Sequence, residues 1–253
     1  MRNRVFEVEY AGHRVRYSFL FPTCRFYFRD YINVSETDEF DIRITPDLLE
    51  LGRPLLPPDA LEPYIEYRVL ISETARELLK YGCSIFHACA FVYKGYAWLL
   101  TGPSGIGKTT QFFNWQRMHS NEVDMITGDM PVLEAGNDGR IFVHSTSWCG
   151  KENLGKRGLH APLAGIVLLE QGSENTLSPL SPRDAVFPFF KQFMVQPETE
   201  EQCIALASLM DRLLSAVPVW KLTNIGDNIS TEMIRETFNK RILELDGGTD
   251  GTL

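Results

Sequence analysis

The 253-residue sequence has no Cys-x-x-Cys pair and no histidines at metal-ligand spacing. It also has no apolar run near the roughly 20 residues that cross a bilayer. Its five cysteines (Cys24, Cys83, Cys89, Cys149, Cys203) are odd in number and scattered, so neither a zinc site nor a disulfide framework is expected, and reduced thiols are. Basic residues are in deficit, 25 Lys and Arg against 33 Asp and Glu, for a net charge of −8. That balance argues against general nucleic-acid binding, which needs a positive field. The first residues, Met1-Arg-Asn-Arg-Val-Phe-Glu-Val-Glu, put acids where a secretory signal needs an apolar stretch. The expectation is a soluble, cytoplasmic chain with no nucleic-acid or membrane partner. Internal repeats and low-complexity segments are also lacking.

What is present is ordinary globular usage, 44% hydrophobic and 23% charged residues, in a length that suits one large domain or a core with an appendage. Val5–Tyr10 and Arg14–Leu20 alternate around Ala11-Gly12-His13, the pattern of a hairpin. Arg25–Ile32 and Phe40–Ile44 read as further strands, divided by the polar stretch Ser35–Glu39, and the prolines of Arg53–Ala60 mark a linker or rigid loop. Helical spacing follows from about Pro63 to Tyr81, with Gly82 as the stop. Ile85–Tyr93 and Tyr96–Leu100 read as strands, then Thr109–His119 as a helix and Val123–Thr127 as a short strand. Pro131–Glu134 and Arg140–His144 form a hairpin pattern. Trp148–His160 reads as a glycine-containing basic loop and Gly165–Leu169 as a buried strand. Ser181 caps a helix that Pro188 should kink. Glu200–Leu214 is a stronger helix, Val217–Leu222 a strand, and about Thr231 to Ile242 a last helix. Phe187, Phe189, Phe190 and Phe193 are expected in the core, as is Trp220. The division expected is 1–58 as an N-terminal β-rich subdomain, 59–245 as the main core, and 246–253 as a tail, with fraying from Gly247.

Gly102-Pro-Ser-Gly-Ile-Gly107-Lys108-Thr109 fits G-x-x-x-x-G-K-[ST]. Its glycines let successive N–H groups curl around phosphate oxygens, and the helix that follows adds its positive end. Lys108 is expected to reach the β- and γ-phosphates, and the Thr109 hydroxyl to ligate Mg²⁺. Chance would produce such a string in about one protein of this length in a hundred. Here it follows the apolar Ala97-Trp-Leu-Leu100 and opens a helix whose Phe112, Phe113 and Trp115 can pack on a sheet. Downstream, Asp129 ends an apolar strand, where a carboxylate could orient a metal ion or accept a hydroxyl proton. The plainer reading of Asp129 is a turn cap after Gly128.

His87, the hairpin, the glycine-rich loop fifteen residues later and a strand ending at Gly128-Asp129 together resemble the HPr kinase/phosphorylase group. That group shares its catalytic fold with ATP-dependent phosphoenolpyruvate carboxykinases. The resemblance covers roughly Ser84–Phe142. Ser147-Trp-Cys-Gly-Lys-Glu152 and Ala161–Glu170 further resemble the shorter HPr-kinase-related proteins, some of which phosphorylate serine in precursor peptides. The fold implied is α/β, a mixed-sheet P-loop kinase core of that type, with an N-terminal β-rich segment unlike the regulatory domain of true HPr kinases. The resemblance makes Gly102, Pro103, Ser104, Gly105, Ile106, Gly107, Lys108, Thr109 and Thr110 the nucleotide phosphate cradle. It matches Asp129 to the aspartate that takes the acceptor's proton and His87 to the histidine near the transferred phosphate. Where the family usually has a second acid after that aspartate, this chain has Met130, which leaves Mg²⁺ to Thr109, Asp129 and waters, with Glu152 a candidate.

Among the basic residues of the loop (Lys151, Lys156, Arg157, His160), Lys151 is the best placed to stabilise moving phosphoryl charge, although an ordinary solvated loop is the plainer reading. His87, set among Ile85, Phe86, Ala88 and Cys89, could equally be a satisfied core histidine. The resulting expectation is an enzyme, an ATP- and Mg²⁺-dependent kinase. It would phosphorylate a hydroxyl, foremost serine, of a peptide, small protein or small metabolite. The alternatives are a catalytically silent nucleotide-binding module, which Met130 keeps open, and a carboxykinase, which the short chain disfavours. Homo-oligomers are compatible with the resemblance, since that family often forms rings of six.

Overall fold

The structure is a computed structural model that describes residues 5–28, 30–33 and 40–247. It has a mixed α/β architecture built on two sheets. The smaller has four strands in the order β3-β1-β2-β4: β1 (Val5–Tyr10), β2 (His13–Ser18), β3 (Ile32–Asn33) and β4 (Phe40–Arg43). The expected hairpin forms, turning on Ala11 and Gly12, both at positive φ. The expected strand Arg25–Ile32 does not. Cys24–Phe28 is instead a short helix, α1, with Cys24 and Phe28 buried four residues apart on its inner side. The apolar run suited either element, and tertiary contact decided it. Buried Glu66 accepts hydrogen bonds from the backbone N–H groups of Leu20 and Phe21 and from the Cys24 thiol, which fixes the chain entering α1. The divider Ser35–Glu39 and the tail beyond Gly247 lie outside the described residues.

A helix absent from the sequence reading, α2 (Pro46–Gly52), starts at Thr45, whose side chain accepts from the Leu48 N–H. After the proline-rich stretch, α3 (Glu62–Leu78) runs into a 3₁₀ turn that Gly82 ends in the left-handed region. The larger sheet then begins. The expected strand Ile85–Tyr93 is in fact two, β5 (Cys83–Ile85) and β6 (Ala88–Tyr93), because the chain switches partners at Phe86-His87. There follow β7 (Tyr96–Thr101), α4 (Lys108–His119), β8 (Val123–Thr127), β9 (Val132–Ala135) and β10 (Ile141–His144). Next are β11 (His160–Gln171), β12 (Thr176–Leu180), α5 (Pro182–Phe190), α6 (Glu200–Ala216), β13 (Val219–Asn224) and α7 (Asn228–Gly247).

Twelve-residue β11 is much longer than the Gly165–Leu169 expected, and it joins two parts of the sheet. Its first residues pair antiparallel with β10, its remainder parallel with β13, while β7 lies parallel along the other edge. Beyond β7 come β6 and then β8. Alternation divides the side chains of the central strands. Ala90, Ala97 and Leu99 face a cluster with α3, α5 and α6, whereas Phe91, Tyr93, Trp98 and Leu100 face α4 and α7. On the second face, Trp98 stacks on Phe238 at 3.6 Å between centroids. The α4 face is partly as expected: Phe112 and Trp115 are buried but Phe113 is exposed. The phenylalanine run also splits. Phe189 and Phe193 are buried, whereas Phe187 and Phe190 point outward from α5, as helical spacing requires of alternate pairs. Trp220 is only partly buried, packed against Gly165 and the second cluster. No helix among the described residues is long and apolar enough to cross a membrane.

Candidate functional site

The sheet order sets the site. Strand β6 lies antiparallel between β7 and β8, so those two are parallel and finish at the same end, where β6 begins. Register makes this concrete: Ala88 pairs with Thr101, and Ala90 with Thr127. The residues just beyond those pairs therefore converge: His87 before β6, the glycine-rich loop after β7, and Gly128-Asp129 after β8.

Gly102, Gly105 and Gly107 all have positive φ. Gly102 also lies so close to β11 that a Cβ there would sit 3.0 Å from the Leu169 carbonyl. Helix α4 opens directly at Lys108, and its first-turn N–H groups have no intrahelical acceptor. The Lys108 ammonium is buried and donates to the carbonyls of Gly102 (3.0 Å) and Pro103 (3.2 Å). Burial lowers its pKa, an effect that nearby Asp129 opposes. A buried polar network holds α4 in place. Gln111 donates to Ser230 Oγ (2.7 Å) and Asn224 Oδ1 (3.3 Å) and accepts from Thr231 Oγ1 (2.9 Å).

His87 is not a bystander in the core. Its Nε2 lies 3.2 Å from Asp129 Oδ1 and its Nδ1 2.9 Å from Gln192 Oε1. The Asp129 pair is a contact within ion-pair range, whereas the Gln192 pair is a hydrogen bond. The Gln192 amide can present oxygen to a protonated Nδ1 or, turned over, its NH₂ to a bare one. Gln192 is itself fixed, because its carbonyl accepts from the His87 N–H and Met194 N donates to the Ile85 carbonyl. The Asp129 backbone is held on both sides by Gly128 N to Leu154 O (2.8 Å) and Met130 N to Trp148 O (3.2 Å), while its own carbonyl accepts from Ala88 N.

These groups line a cleft of about 590 Å³. His87, Pro103, Ser104, Asp129, Gly150 and Lys151 form one side, and Phe26, Tyr27, Tyr64, Tyr67 and Arg68 form another. Of the four basic loop residues, only Lys151 reaches it. Lys156 pairs with Asp124 at 3.6 Å, Arg157 lines a separate cavity near His144, and His160 opens β11 and stacks on His144. Met130 is buried and brings no oxygen to the cleft it also lines. Sequence reasoning missed Gln192, which carries no motif, and the aromatic wall from α1 and α3. The wall's signal was the spacing of Tyr64, Tyr67 and Arg68, three and four residues apart and so on one face of α3.

No family model matches the sequence, and no curated protein matches it. Among solved structures, the chain is similar to the Hpr(Ser) kinase/phosphatase from Coxiella burnetii. The identity is 14% and the TM-score 0.37, over 66% of this chain and 95% of that one.

Proposed function

We propose that the protein is a nucleotide-dependent kinase that transfers the γ-phosphoryl group of ATP to an alcohol, foremost a serine hydroxyl. The carrying observation is convergence: the Walker-type loop, through Pro103 and Ser104, and the neighbouring Asp129, His87 and Gln192 meet at one sheet end and line one cleft, with the Lys108 ammonium buried behind the loop on the Gly102 and Pro103 carbonyls. The loop amides, the end of α4 and Lys108 hold the donor phosphates. Asp129 takes the acceptor's proton as its oxygen bonds to the γ-phosphorus and the bond to the β-phosphate breaks, releasing ADP. His87 orients the Asp129 carboxylate, and Lys151 offsets charge on the transferred group.

Among the described residues no three His, Cys, Asp or Glu side chains gather into a metal cluster. Mg²⁺ does not require one, because it retains waters and takes one or two protein oxygens beside those of phosphate. Thr109, at the first turn of α4, and Asp129 fit that donor set, and the ion they would hold neutralises phosphate charge.

The test is transfer from labelled ATP to candidate acceptors by wild type and Asp129→Asn. The variant should be roughly 10²–10⁴-fold slower. Equal rates would remove Asp129 as the base. The buried Met130 favours one second reading, a nucleotide sensor without transfer. Tight Mg-ATP binding with no turnover over a broad acceptor library would select it.

A further inference from the structure

The cleft continues past the reacting end. Arg68, Lys191 and Met194 line both it and a second basin of about 270 Å³, which contains no residue of the glycine-rich loop. That basin is lined by Leu48, Leu51, Leu55 and Leu56, and Leu51 and Leu55 are 71% and 63% exposed. Its acids are already engaged: Glu73 and Glu198 both pair with Arg76, at 2.9 and 2.8 Å. Among the described residues neither Arg68 nor Lys191 pairs with a carboxylate; the Lys191 ammonium rests over the Phe187 ring at 4.1 Å. Arg68 and Lys191 therefore stand at the junction between the reacting cleft, whose carboxylates are Asp30 and Asp129, and the aliphatic basin.

Resting on the kinase reading, we infer that the acceptor is a peptide segment whose hydroxyl residue is accompanied by an acidic residue and, beyond it, an aliphatic one. Arg68 and Lys191 are the specificity-determining pair that reads the acid. Charge complementarity and continuity with the reacting cleft support this occupant, and a small hydroxy acid would leave the leucine basin unfilled. The pair stands where the reacting cleft passes into the leucine basin, which holds no residue of the glycine-rich loop, so its loss should alter acceptor KM and leave nucleotide affinity in place.

The experiment presents full-length protein and ATP with a serine-centred peptide library and, in parallel, small hydroxy acids, and measures nucleotide Kd separately. The expected result is selection of acidic-plus-aliphatic peptides. Arg68→Ala should raise the KM of the selected peptide roughly tenfold, as loss of one partly exposed charge-assisted hydrogen bond does, with nucleotide Kd unchanged. Lys191→Ala, at an exposed position that leaves the fold intact, should act in the same direction. Arg68→Glu should shift selection toward a basic residue. Phosphorylation without acid selection, transfer only to small hydroxy acids, or a changed nucleotide Kd in Arg68→Ala would overturn the inference and leave the kinase reading standing. No transfer to any acceptor would overturn both.

Discussion

Gly150 and Gly158 belong to the same loop and share nearly the same backbone, φ +77° and +74°. Alanine in that left-handed region costs about 1–2 kcal/mol, so Gly150→Ala and Gly158→Ala should each lose that much stability. In a chain of this size that is roughly 2–8 °C in Tm. Their surroundings differ. A Cβ at Gly158 meets nothing within 4 Å, whereas one at Gly150 falls 3.2 Å from Asp129 Cβ. Carbon atoms rest at about 3.5–4.0 Å, so Asp129 must shift by roughly 0.3–0.8 Å. Its ion-pair contact with His87 Nε2 is 3.2 Å, and a displacement of that size carries it toward the roughly 4 Å limit of such a pair. Misplacement by about 1 Å can cost 100-fold in rate, so a roughly tenfold slower transfer is expected for Gly150→Ala alone. Two measurements check this: thermal melts of both variants, and the ¹⁵N and proton shifts of the His87 ring, which need no acceptor. Matching His87 signals and matching transfer rates in the two variants would refute the positioning argument. An unchanged Tm in both would refute the backbone argument.

Lys108→Met should weaken nucleotide binding at least tenfold while changing Tm little. Relief of a desolvated ammonium is offset by stranding the Gly102 and Pro103 carbonyls, and a Tm change above about 5 °C would contradict that. Glu66→Leu should destabilise by about 3–5 kcal/mol in denaturant titrations, since it strands the Leu20 and Phe21 N–H groups, and Glu66→Gln by clearly less. Burial lowers the pKa of His144 below its usual value despite Glu134 at 2.7 Å. Its contribution to stability is therefore present above about pH 6.5 and is lost as pH falls through the folded pKa, by at most about 1.4 kcal/mol per pH unit. Melts from pH 7.5 to 5 should show this slope flattened in His144→Gln.

Alternation and turn chemistry made the local elements legible: β1 with β2, β6 with β7, and β9 with β10 all turn where a glycine or a turn-forming pair stands. A capping residue did the same for α5, where Ser181 acts as expected, and the structure adds a Thr199–Gln202 capping box at the start of α6. What escaped depends on partners distant in sequence. Arg25–Phe28 satisfies a strand or a helix pattern equally well, and only Glu66 chooses between them. Thr176–Leu180, which contains Pro179 and has no assignment from the sequence, forms the edge strand β12, where a missing N–H is tolerated. The glycine-rich loop was visible because its spacing is local. That His87 touches Asp129, 42 residues away by numbering, follows only once β6 is known to lie between β7 and β8.

The N-terminal sheet reaches that contact through Ser147 and Trp148. Trp148, whose carbonyl holds the N–H of Met130, is fully buried; it stacks on Tyr10 at 4.9 Å and meets Phe28 edge-on at 5.8 Å. Tyr10 also binds Ser147 through its hydroxyl at 2.8 Å, and Tyr17 binds Thr74 on α3 at 2.7 Å. Removing residues 1–58 would thus expose Trp148 and release the loop that fixes Asp129, besides deleting the Phe26 and Tyr27 wall. A fragment of residues 59–247 should be poorly stable and should lack the His87–Asp129 signature in its imidazole spectrum. A milder change isolates the link: Tyr10→Phe keeps the stacking and loses one buried hydrogen bond, costing about 1–2 kcal/mol, whereas Tyr10→Ala uncovers the indole and costs about 3–5. If Tyr10→Ala left the His87 ring signals of the folded protein untouched, the N-terminal sheet would be an appendage and Trp148 merely a core residue.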